Sequence, residues 1–198
     1  MSTQATDYVI ERALIETLKH KPFEKITIDD ISRAAEVDRS TFYRYFHNKY
    51  EALSSSMPVI ITPEMFHALD SMHPSSRLES IITWVANNRR LMKNLLIENQ
   101  QFSSFQELVR VVTRILTEFN DNIDENNAVT PLVRLILEAP DRKRLIRLAA
   151  TMIVSILTDY ISNDVTTKPE DVMTDVRYLF NRLGLEDATP ANHLGVKQ

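Results

Sequence analysis

Only two glycines occur in the 198 residues of this chain, Gly184 and Gly195, and both lie near its C-terminus. Glycine is what tight hairpin turns, phosphate-cradling loops and dinucleotide fingerprints need, so those devices are missing from the first 183 positions. The glycine-flanked serine elbow of hydrolases is missing as well. Most nucleotide-dependent enzymes are thereby excluded, and abundant Leu, Ile, Ala, Glu, Lys and Arg favour helices. Cysteine is absent, which removes disulfides, thiolate nucleophiles and thiolate metal sites together. The expected fold class is all-α. With 43% hydrophobic and 25% charged side chains, the chain can bury one large core or two small ones. The N-terminus lacks a signal-like apolar run, and the nearly apolar stretch Leu148 to Leu157 is half a membrane span, so a soluble, cytoplasmic protein is expected.

Asp7 to Lys21 places Ile10, Ala13, Leu14 and Leu18 at helical spacing, and Pro22 stops the helix. Phe23 and Ile26 are spaced to fold back onto it. Thr27 is a helix N-cap followed by Asp29 and Asp30, after which Ile28, Ile31, Ala34 and Ala35 line one face of a short helix. Val37 closes a turn, and Asp38 offers a second cap. A further helix then spans Arg39 to Phe46, with Phe42 and Phe46 inward and Arg39, Ser40, Thr41, Tyr43 and Arg44 outward.

Residues 1–56 carry eight Lys or Arg against nine Asp or Glu, yet no carboxylate lies between Arg39 and Tyr50. Positive charge is therefore concentrated where a groove and its phosphates would lie. Arginine can bond bidentately to guanine, Ser40 and Thr41 can serve bases or phosphates, and Tyr43, His47 and Lys49 suit backbone contacts. The plainer reading is a solvated helix face whose aromatics cover a core. The capped helix and turn in front of it favour a helix-turn-helix.

The run ITIDDISRAAEVDRSTFYRYFHNKY resembles the N-terminal domain of the TetR family of bacterial transcription regulators, through Ile26, Thr27, Ile31, Ala34, Ala35, Val37, Thr41, Tyr43, Tyr45, Phe46, Lys49 and Leu53. The resemblance implies a homodimeric, all-helical regulator with a helix-turn-helix domain over 1–56 and a helical effector-binding and dimerisation domain over 57–198. It assigns DNA contacts to Thr27, Arg39, Ser40, Thr41, Tyr43, Arg44, His47 and Lys49. Glu36 stands where the family usually has glycine. Either that turn is remodelled, or it is held at a strain of roughly 1 to 2 kcal/mol.

Beyond Lys49, Tyr50, Ala52, Leu53 and Met57 indicate a connecting helix that should end at Pro58, with Val59 to Ile61 as a link and Thr62 capping the next helix. Apolar stripes follow at Leu78, Ile81, Ile82 and Val85; at Leu91, Leu95 and Leu96; and from Phe105 to Phe119. The polar stretch from Asn120 to Thr130 reads as a loop, and Leu132 to Glu138 as a short helix. Two last helices carry wide apolar bands, the second stopped by Gly184. These bands face either the chain's own core or a second copy. By the family resemblance they form a dimer interface through Leu145, Leu148, Met152, Ile156, Tyr160, Val176, Leu179 and Phe180. Two-fold symmetry then predicts a palindromic operator read by helices about 34 to 36 Å or more apart.

Trp84, Met92, Phe105 and Tyr160 can line an effector pocket, although aromatic and methionine residues at helical spacing more often fill a core. His67 and His73 lack the spacing and acidic partner of a zinc site, so neither metal nor cofactor is expected. The favoured function is a DNA-binding regulator, a repressor by family habit, released by a small molecule. The alternative is an adaptor or coactivator acting through a protein partner, since Asn87 to Leu108 resembles a subgroup that includes regulators of dihydroxyacetone-kinase operons. An enzyme is disfavoured, because no acid and base pair or nucleophile constellation is present.

Overall fold

The structure is a computed structural model that describes residues 5–61, 74–121, 135–162 and 168–182, without the side chains of residues 74–79, 119, 179 and 180. Its elements are helices: α1 Thr6–Leu18, a 3-10 turn Phe23–Lys25, α2 Ile28–Ala34, α3 Arg39–Tyr45 and α4 Lys49–Ile60 in the N-terminal part. Then come α5 Pro74–Asn87, α6 Arg89–Leu95, α7 Ser104–Asp121, α8 Arg142–Ser162 and α9 Pro169–Arg182. No strand occurs among the described residues; one isolated antiparallel bridge joins Glu98 and Ser103. Thr62, His67, His73, Leu183, Gly184 and the polar stretch after Asp121 lie outside the described residues.

α1 is the axis of the N-terminal part, the head. Ile10, Leu14 and Leu18 are buried against α2 and α4, with Phe23, Ile26, Ile31 and Leu53 completing the core. Glu11 is also buried, facing α4, where the Ser55 hydroxyl donates to its carboxylate; burial still pushes its pKa up. On α2 the inward face is Ile31, Ser32 and Ala35 with Ile28 half-buried, whereas Ala34 is exposed, contrary to the sequence reading. The helix starts on a full capping box: the Asp30 N–H donates to Thr27 Oγ1, and the Thr27 N–H donates to the Asp30 carboxylate.

α2 ends in a Schellman motif. Val37 N–H donates to Ser32 O at 3.0 Å and Glu36 N–H to Arg33 O at 3.2 Å, which places Glu36 in the left-handed region at φ 55°. The turn has kept the geometry that glycine serves, and Glu36 bears the strain. Asp38 stands at the N-cap of α3 but forms no side-chain cap bond, whereas Asn48 caps α4 by accepting from Tyr50 N and Glu51 N.

α4 does not stop at Pro58 but continues to Ile60, with Ile61 N–H closing onto Met57 O at 3.0 Å. Proline removes one donor, the one that would have met Ser54 O, and burial of Ala52, Leu53, Met57 and Ile60 against α1 and α7 outweighs it. In the helical body, α7 and α8 form the most extensive pair, and α9 packs on α5. α7 extends two residues, Asn120 and Asp121, into the stretch read as a loop, and of the short helix expected before Pro140 a turn at 135–137 is described. α8 is long and apolar enough to cross a bilayer by length and composition, but its buried residues Ile146, Ala150, Val154 and Ile161 belong to the protein core. The head and body meet where Asn94 Nδ2 donates to Leu18 O at 2.7 Å and Arg90 to His20 O at 3.2 Å, carbonyls at the open end of α1.

Glu36→Gly should raise unfolding stability by about 0.5 to 1 kcal/mol, the relieved strain minus the extra chain entropy of glycine. Urea denaturation of the two proteins measures it; a lower midpoint for the variant would mean that the turn is unstrained.

Candidate nucleic-acid interface

α3 is seven residues long, too short to persist in isolation, and exists because Phe42 and Phe46 are buried beneath it. Phe42 packs on Phe46 with centroids 5.8 Å apart and meets Tyr43 edge-on at 5.7 Å. This burial turns the opposite face outward. Arg39, Ser40, Tyr43 and Arg44 are exposed, Tyr43 by 45%, and Thr41 is half-buried. Tyr45, which the sequence reading left unassigned, is exposed too and carries the Arg44 guanidinium over its ring at 5.3 Å.

The basic side chains differ sharply in what they already touch. Arg39 donates to Asp29 Oδ1 at 2.9 Å and to the Tyr43 hydroxyl at 3.3 Å, with its guanidinium 5.6 Å from the centre of that ring. These contacts hold its pKa above the usual value, the Tyr43 bond first. His47 donates its backbone N–H to Glu51 Oε2 at 2.6 Å, and its Nδ1 lies 2.8 Å from the same oxygen. The first of these bonds is the main reason that the Glu51 carboxyl sits below its ordinary pKa. Arg44 has no carboxylate partner among the described residues.

Lys49 is placed differently from the phosphate contact that the family resemblance implies. Its Nζ donates to three carbonyls, Phe23 O at 3.1 Å, Glu24 O at 3.1 Å and Ile26 O at 2.8 Å, and lies 4.7 Å from the Phe23 ring centre. All three of its donors are used inside the protein. Burial lowers its pKa. The ammonium thus turns away from the positive start of α4 and closes the carbonyl end of the 3-10 turn. Thr27 is likewise occupied, its hydroxyl donating to Asp30 Oδ2 at 2.9 Å.

Farther off, Trp84 and Met92 line a small, wholly apolar cavity of about 30 Å³ among α5, α6, α7 and α8, together with Ile61 just past the end of α4. Phe105 and Tyr160 are not in its lining. Tyr160 is buried, its ring 5.0 Å from the Arg89 guanidinium and its carbonyl accepting from Arg89. Val176 is buried in the chain's own core, while Leu148 and Tyr178 are 58% and 65% exposed; Leu145, Met152 and Ile156 are half-buried. The Leu179 and Phe180 side chains lie outside the described ones. No cluster with the makings of a metal site occurs among the described residues.

A capped helix, a Schellman turn and an exposed aromatic and cationic helix on a helical body define a helix-turn-helix DNA-binding regulator fold. Residues 10–54 match the family described as bacterial regulatory proteins, tetR family. Over those residues the chain is similar to that family. Among solved structures, a TetR transcriptional regulator from a Rhodococcus species is similar at a TM-score of 0.60 and 15% identity, over 91% of this chain and 97% of that one. The TetR family repressor AlkX from a Dietzia species follows at 0.56 and 14%, over 92% and 97%. The dihydroxyacetone kinase operon activator DhaS gives 0.52 and 17%, over 92% and 98%. At such identities the likeness is one of fold. No curated protein matches the chain.

Lys49→Met should lower stability by about 2 kcal/mol, since it removes a charged donor from three carbonyls. A urea midpoint equal to wild type would contradict the structural role. Asp30, bonded to Lys21 at 2.6 Å and to Thr27, has a pKa pulled well below the usual carboxylate value, the Lys21 bond contributing most. Its contribution is therefore complete above about pH 4 and lost as pH falls through and below that value. Asp30→Asn should flatten the fall in melting temperature between about pH 5 and pH 2; an unchanged slope would place the acid sensitivity elsewhere.

Proposed function

We propose that this protein is a cytoplasmic transcriptional regulator, a repressor rather than an enzyme, that binds a palindromic operator as a homodimer and is released by a small-molecule effector. The observation that carries the reading is the exposed face of α3, rigidly backed by Phe42 and Phe46 and presenting Arg44 without a carboxylate partner among the described residues. Arg44 is the base reader, and Tyr43 and Ser40 contact the backbone or base edges beside it. The domains divide near residues 56 and 57, with α4 crossing the division as a continuous rod.

On α8, exposed Leu148 beside half-buried Leu145, Met152 and Ile156 supports pairing with a second copy, and Tyr178 on α9 is exposed as well. The cavity supports an uncharged, apolar effector. Its volume of about 30 Å³ is far below that of drug-sized sites, roughly 300 to 1,000 Å³, so an effector must part the lining, to which Ile61 at the end of α4 belongs. An adaptor acting through a protein partner is the second reading. The internal commitment of Arg39, His47 and Lys49 favours it, and the solved activator DhaS shares the fold.

Selection of bound fragments from random duplex DNA, at stated salt, separates the two. A palindromic site is expected, with Arg44→Ala losing about 1 to 3 kcal/mol of discrimination at one base pair per half-site and Tyr43→Ala weakening all sequences alike. Folded protein that selects no sequence would turn the assignment toward the adaptor.

A further inference from the structure

Of the three cations and one histidine on and beside α3, Arg39, Lys49 and His47 are held by oxygens of the same chain. Arg39 is on Asp29, His47 on Glu51, and Lys49 on the carbonyls of Phe23, Glu24 and Ile26. Lys49 is part of the fold, but the other two pairs are exposed and sit on the surface a duplex would meet. A cation that must leave a carboxylate to reach a phosphate gains only the difference between two similar ion pairs. It also displaces no DNA counterion while it stays where it is. Sequence-independent binding to DNA comes almost entirely from such phosphate neutralisation, each contact adding about 0.9 to the slope of log affinity against log salt.

Resting on the DNA-binding reading above, we propose that Asp29 is a specificity-determining residue that acts through Arg39: it holds that guanidinium off the phosphate backbone, so that binding waits on base contact by Arg44. The geometry is a three-sided hold. Asp29 reaches from the first turn of α2 to one guanidinium nitrogen, the Tyr43 hydroxyl takes the other, and the Tyr43 ring lies beneath. Arg39 is the first residue of α3, so this hold also ties the start of the reading helix to α2. Glu51 does the equivalent on the far side of α3, meeting both the backbone N–H and Nδ1 of His47 with one oxygen. Two carboxylates of the same chain thus hold side chains that would otherwise be open to phosphates.

The test measures affinity of the full-length protein for a random-sequence duplex and for its selected site, across salt. Asp29→Asn should steepen the salt slope by about 0.9, so that its affinity falls about 3.5-fold more than that of wild type between about 50 and 200 mM salt. Affinity for random duplex should rise, and the ratio of selected to random affinity should drop. Asp38→Asn removes the same charge beside the same helix without freeing Arg39, and should leave the slope near that of wild type. Asp29→Asn combined with Arg39→Ala should return the slope to the wild-type value. Equal slopes for wild type, Asp29→Asn and Asp38→Asn, or a steep slope that survives loss of Arg39, would overturn the proposal. Thermal melts check folding of each variant, and Asp29→Ser, which keeps a helix-starting side chain, replaces Asn if stability falls. Wild-type protein that binds no duplex at all would instead refute the DNA-binding reading on which the proposal stands.

Discussion

Burial of Phe42 is the contact on which the head depends. A seven-residue helix gains too little from its own hydrogen bonds to hold together, so α3 exists because Phe42, with Phe46 behind it, completes the core built by Leu14, Phe23, Ile31 and Leu53. The same packing fixes the rotation of α3 about its axis. At 3.6 residues per turn, once positions 42 and 46 point inward, positions 40, 43 and 44 must point outward. Presentation of a polar, aromatic and cationic face is thus a consequence of core packing, with no separate device needed to expose it.

What ties that head to the body is a set of polar bonds around an aromatic stack. Tyr50 sits between Phe23 of the head, at 5.4 Å, and Phe102 of the loop before α7, at 5.8 Å. The loop is stiff because Asn99 Oδ1 accepts from Gln101 N and Phe102 N, while Ser104 Oγ donates to Leu95 O and accepts from Ile97 N. Asn94 and Arg90 close the carbonyl end of α1. Lys49, lying over Phe23 and within 5.7 Å of the Tyr50 ring centre, belongs to the same assembly. Ile61 ends α4 in the wall of the apolar cavity, so one rod joins that cavity to the base of the reading helix.

Much of this was legible in the sequence because it rests on local rules. Thr27 with Asp30, the 42 and 46 spacing of phenylalanine and the glycine-poor composition each have one reading, and α2, α3 and an all-helical fold follow from them. Glu36 was legible as a position but not as a geometry; only the Schellman bonds show that the left-handed turn is kept. Pro58 misled because local propensity ends a helix there while tertiary burial on both sides carries it on. The partners of the cations were illegible for another reason. Asp29 is ten positions from Arg39, and the carbonyls that hold Lys49 are more than twenty away, so the pairings appear only once the chain has folded. The wide apolar bands of α8 and α9 hid a division between Tyr160 and Val176, which serve the chain's own core, and Leu148, which does not.

The claim that bears the most weight is that α3 enters the major groove and reads guanine through Arg44. Methylation interference on the selected operator tests it directly, because methylation at guanine N7 blocks the acceptor that arginine uses. The account predicts interference at one or two guanines in each half-site, centred about one helical turn or more apart and disappearing with Arg44→Ala. Interference confined to adenine N3 in the minor groove, or guanine interference unchanged by loss of Arg44, would contradict it.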